Sequence, residues 1–158
     1  MGAIILLATL VTLIGQSRRL PLQNIIAITI LILGLTTAIE LFAAKTGLPY
    51  GTNISVVFHG VKTIGGMTWP VPLVWLVLLL NARSVAKQII RRRVSKYYGT
   101  GILLVASVLT TAGYFGILAL ARGVWFWNDL VGIFLTSAGI FICLTPWLIK
   151  KRPAGSDS

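Results

Sequence analysis

Apolar residues run along this chain in five long blocks separated by short polar or basic breaks. The blocks are Gly2–Gln16, Asn24–Ala44, Pro70–Val85, Thr100–Ala121 and Leu130–Ile149. Each approaches the roughly 20 apolar residues, within a range of about 17–25, that an α-helix needs to cross the hydrocarbon layer of a bilayer. The first and third blocks are short and recruit flanking residues or sit where the bilayer thins. Pro70 and Pro72 suit the first turn of the third helix, where a missing N–H costs little. Pro21 marks the turn between the first and second. The pattern predicts an all-α integral membrane protein: one domain, residues 1–149, forming a bundle of about five transmembrane helices. The closing "KKRPAGSDS", residues 150–158, reads as a disordered basic and polar tail.

Composition supports this class and removes others. The 158 residues are 56% hydrophobic and only 11% charged, with a mean hydropathy of +0.91. A soluble domain of this size has no means of hiding so much apolar side chain. The net charge of +11 does not indicate a nucleic-acid partner, because the basic residues cluster between the apolar blocks, where membrane topology needs them. The single cysteine, Cys143, lies inside an apolar block, so the chain forms no internal disulfide and no cysteine-based metal site. The opening "MGAIILLATLVTLIGQSRR" carries its positive charges after the apolar run, the order of a first spanning helix rather than of a secretory signal.

Charge asymmetry predicts an orientation. With five crossings, Arg18, Arg19, Arg83, Lys87, Arg91, Arg92, Arg93, Lys96, Lys150, Lys151 and Arg152 fall on one side, against Lys45, Lys62 and Arg122 on the other. The positive-inside rule then places the N-terminus outside and the C-terminus inside a multi-pass cell membrane, with a prokaryotic plasma membrane the expected location. The run "KQIIRRRVSKYY" reads as a topology anchor, with an anionic-lipid or nucleic-acid patch as the alternative.

Ionisable groups are scarce within the apolar blocks, and Glu40 lies near the end of the second. A carboxylate there is costly unless protonated, paired or facing a polar cavity, so it is a functional candidate. Its alternative is a snorkelling interfacial residue paired with Lys45 or Arg122. "TGLPYG", Thr46–Gly51, follows as a tight turn, with Tyr50 at headgroup level. The connection continues through His59 to Gly65 and Gly66, too long and too apolar for a mere linker. His59 alone is more often structural than an acid or base. Trp69 and Trp75 flank the start of the third block in "WPVPLVW". Trp125, Trp127 and Asp129 lie in the last connection, "RGVWFWND", where the tryptophans also suit an aromatic belt. One acid among aromatic faces has the means to protonate an alkene and shelter the resulting carbocation. Nothing in the chain matches a metal triad, a Ser-His-Asp arrangement, a P-loop or a dinucleotide fingerprint.

Glu40, "TGLPYG", a glycine-containing loop and the proline-flanked "VPLVW" together resemble the carotenoid biosynthesis membrane-protein family. That family includes carotenoid hydratases acting on acyclic carotenoid ends, such as bisanhydrobacterioruberin hydratase. The likeness covers Glu40 to about Trp75, and "GVWFW" echoes a tryptophan pair near a later helix of the family. The resemblance implies that Glu40, Thr46, Gly47, Tyr50, Gly51, Pro72 and Trp75 occupy motif positions.

Two functions follow as expectations. In the first, the chain hydrates the terminal double bond of an acyclic carotenoid or related isoprenoid lipid. Glu40 donates the proton, His59 or Asp129 orients water, and Thr46, Gly47, Tyr50, Gly51, Trp69, Trp75, Trp125 and Trp127 line the substrate site. Hydration is not a redox reaction, so no redox cofactor is needed, and with no metal triad in the chain no metal is expected. In the second, the chain is a non-catalytic membrane protein that binds lipid or pigment, or docks on another membrane protein as a homo- or hetero-oligomer. "LTTAGYFGILALARG", which holds no acid, favours this second reading, as do Ala112 and Gly116 spaced by four.

Overall fold

A computed structural model describes residues 2–18, 20–48, 69–90, 98–122 and 127–148, and within them five helices and no strand. These are α1 (Gly2–Ser17), α2 (Leu22–Thr46), α3 (Pro70–Ile90), α4 (Tyr98–Arg122) and α5 (Trp127–Leu148). Helix α2, helix α3 and the segment Gly99–Ile117 of α4 are long and apolar enough to cross a membrane, and α1 and α5 contribute the shorter apolar stretches Ala3–Ser17 and Asp129–Thr145. The fold is that of an all-helical membrane protein.

The helix boundaries have local causes. Pro21, at φ −58° and ψ 146°, leads directly into α2, so that helix starts earlier than the apolar block does. At its far end Gly47 adopts φ 76°, the left-handed region, and donates its N–H to Ala43 O at 2.8 Å. Glycine closes the helix there without the Cβ clash that other residues meet. Pro70 and Pro72 occupy the first turn of α3. That helix runs to Ile90, so the polar stretch "NARSVAKQ" does not end it; its residues, free of glycine and proline, are compatible with a helix. Arg83 and Lys87, expected in the connection, therefore belong to α3 itself, and Arg83 is buried.

Helices α2, α3, α4 and α5 pack in a closed ring, each against the next, and α1 lies outside it, mainly on α3. The buried core takes Ile32 from α2, Leu76 and Leu79 from α3, Ala106 from α4, and Ile133, Ile140 and Phe141 from α5. Large apolar residues such as Leu7, Leu10, Ile30, Leu104 and Ile142 point outward and are exposed, as befits surfaces whose solvent is lipid. Because lipid is as apolar as leucine, close packing and interhelical hydrogen bonds must supply the cohesion. The α1–α3 seam shows both. Gln16 Nε2 donates to Ser84 Oγ at 2.9 Å and Asn81 Nδ2 donates to Thr12 Oγ1 at 3.1 Å. Between α3 and α4 the approach is close at Gly113, where a Cβ would meet Leu78 Cδ2 at 3.0 Å.

Candidate functional site

Glu40 lies about 9 Å along α2 from the end of that helix at Thr46. In the sequence this looked like the wet margin, but the side chain turns into the ring and is only 5% exposed. Lys45 is exposed, and the carboxyl group sits between α2, α3 and α4.

Two side chains donate to one carboxyl oxygen. Trp75 Nε1 reaches Glu40 Oε1 at 3.1 Å, and Tyr114 Oη reaches the same oxygen at 3.2 Å. Both donors are fully buried, and their rings stack with centroids 4.4 Å apart and planes 27° apart. Trp75 comes from the second turn of α3 and Tyr114 from the later part of α4, so three helices converge on one atom. An indole N–H and a phenol O–H are the polar handles that large aromatic residues must satisfy when buried, and Glu40 satisfies both.

Buried hydroxyls continue the polar character one turn further along the interior. Thr36 donates to Ile32 O at 2.7 Å, Thr110 to Ala106 O at 2.9 Å and Thr111 to Ser107 O at 2.8 Å. Each uses its proton on its own helix, which leaves acceptor lone pairs for the interior. Ser137 of α5 approaches Thr111, with the two hydroxyl oxygens 3.5 Å apart.

The other candidates divide into groups. Trp69 is half-buried just before α3. Asp129 is buried in the first turn of α5, where a negative charge complements the helix dipole. Thr46 and Gly47 have the geometry of a helix cap: Thr46 Oγ1 donates to Phe42 O at 2.8 Å and accepts from Leu48 N at 3.2 Å. Tyr50, Gly51, His59 and Trp125 lie outside the described residues, as does the side chain of Trp127. Among the described residues no three His, Cys, Asp or Glu side chains gather as metal ligands would.

Tyr114 was missed at the sequence level. Its helix carries no acid and reads as uniformly apolar, but Ser107, Thr111 and Tyr114 recur at one-turn spacing and mark one buried face. A groove of about 390 Å³ between α1 and α2, lined by Leu13, Ser17, Ile25 and Thr29 among others, lies toward the opposite end of the bundle. Thr29 is about 16 Å along α2 from Glu40, so the groove is not part of the carboxyl site.

These features define a helical membrane protein with one carboxyl group held inside its bundle by aromatic donors. The chain belongs to the carotenoid biosynthesis protein family, whose sequence model matches residues 1–138. The match takes in α1 to α4 and the first half of α5, and so contains Glu40, Trp75 and Tyr114. No curated protein and no solved structure matches the chain.

Proposed function

We propose that this protein hydrates the terminal double bond of an acyclic carotenoid. The observation that carries the reading is Glu40, a buried carboxyl group in a bundle of a carotenoid biosynthesis family member, oriented by Trp75 and Tyr114. The substrate lies along the bilayer and brings its branched alkene end to the carboxyl group. Glu40 gives its proton to the less substituted alkene carbon; the π bond breaks, a C–H bond forms and a tertiary cation remains. Aromatic faces nearby shelter that cation. Water adds to it, forming the C–O bond, and the proton that water sheds returns to Glu40. Atoms and electrons balance without an oxidant or reductant, and the acid is regenerated.

In this reading His59 or Asp129 orients the water, and Thr46, Gly47, Tyr50, Gly51, Trp69, Trp75, Trp125 and Trp127 border the substrate. The chain crosses a prokaryotic plasma membrane five times with its N-terminus outside. The test is expression in cells that make lycopene. A hydroxylated carotenoid is the expected product, and its absence while the protein is present in the membrane would reject the reading.

A second reading, a non-catalytic pigment binder or docking subunit, is favoured by one observation. Ala112 is exposed, and a Cβ added at Gly116 meets nothing within 4 Å, so α4 offers a small-residue face for a neighbouring helix. Unmodified pigment that co-purifies with the chain, equally with wild type and with Glu40→Gln, would support it.

A further inference from the structure

We propose that Trp75 and Tyr114 act as an anion hole for Glu40 itself: they make Oε1 the carbonyl oxygen, leave the acid proton on Oε2, and stabilise the carboxylate formed when that proton departs. The proposal rests on the reading of Glu40 as the proton donor and names Tyr114 as a positioning residue for it.

The geometry carries the assignment. An indole N–H can only donate, so the oxygen it points to must accept, and Tyr114 reaches that same atom. A carbonyl oxygen has two lone pairs, and two donors fill them. The proton of the neutral acid therefore belongs on the other oxygen. Hydrogen bonds from both donors strengthen as negative charge develops on the oxygen they share. Interactions that strengthen only as charge appears are those that lower a barrier. The stacked rings keep the two donors aimed before the reaction, so little reorganisation accompanies it.

Glu40 is the sole glutamate of the chain, which permits a direct readout. The full-length protein is labelled with carboxyl-¹³C glutamate, reconstituted in lipid nanodiscs and measured by infrared difference spectroscopy against unlabelled protein. One labelled C=O band of a protonated carboxyl group is expected. Tyr114→Phe removes one donor and should move that band to higher frequency, while 3-fluorotyrosine at position 114, a stronger donor, should move it lower. In the lycopene host, Tyr114→Phe should slow hydration by about tenfold to a hundredfold. A merely structural role for Tyr114 moves neither band in opposite directions with donor strength. A band unchanged by both substitutions overturns the proposal, even where wild type hydrates lycopene. Opposite shifts with no hydration by wild type support the proton placement and reject the hydratase reading. Should Tyr114→Phe fail to accumulate, the fluorinated variant alone decides: a lower band supports the proposal and an unmoved band overturns it.

Discussion

A carboxyl group inside a membrane bundle owes its stability to its partners, and for Glu40 these include Trp75 and Tyr114. Removing the acceptor therefore has a different cost from removing only the proton. Glu40→Ala takes the carboxyl acceptor from two buried donors, at about 1–3 kcal/mol each. The melting temperature of the detergent-solubilised protein is expected to fall well below wild type. Glu40→Gln keeps an amide oxygen for both donors and should melt within a few degrees of wild type. Equal losses for the two variants would show that the hydrogen bonds are not what holds the residue. The candidacy of Glu40 was legible in the sequence, because an ionisable side chain in an apolar block is conspicuous. Its partners were not. Trp75 and Tyr114 are 35 and 74 positions away, and no local pattern announces a donor that distant. The face that Glu40 turns to the ring was hidden for a related reason: depth along a helix can be counted from sequence, but the face toward the ring depends on where the neighbouring helices pack.

At the scale of elements, hydropathy located all five helices, and Pro21, Gly47 and Pro70 account for the ends that were legible. The end of α3 was not, since charge was read as a break. Trp75, Leu79 and Arg83 recur every four residues, and all three are buried along one stripe of that helix. Polarity there records an interior face rather than a loop. The α3–α4 contact is the element pair that sets the site, because it brings the ring of Tyr114 onto Trp75. Gly113 keeps those helices close, with Leu78 already at 3.0 Å from the position of an added Cβ. Gly113→Val should push α4 away, costing about 1–3 kcal/mol by overpacking, and should lower product formation along with thermal stability. Gly47→Ala, which puts a Cβ into the left-handed region, should cost about 1–2 kcal/mol without touching the Glu40 partners. Thermal melts of the two purified variants check both costs.

For the whole molecule, the arrangement explains why a small membrane protein tolerates an acid in its interior. Four helices close a ring around it, and the fifth, α1, is tied to α3 through Gln16 and Asn81. The five-crossing orientation drawn from the basic residues makes a separate prediction. In intact spheroplasts, external protease should remove an N-terminal tag and spare a C-terminal one. The reverse pattern would place the Glu40 end of the bundle on the cytoplasmic side.

The central claim is that Glu40 transfers a proton to an alkene. The most direct measurement compares wild type with Glu40→Gln in a lycopene-producing host, at equal membrane abundance, by chromatography and mass spectrometry of the extracted carotenoids. Gln preserves the shape and the acceptor for Trp75 and Tyr114 but has no acid proton to give. Wild type is expected to yield carotenoid heavier by one or two waters, and Glu40→Gln none. Hydrated carotenoid from Glu40→Gln at the wild-type level would contradict the account.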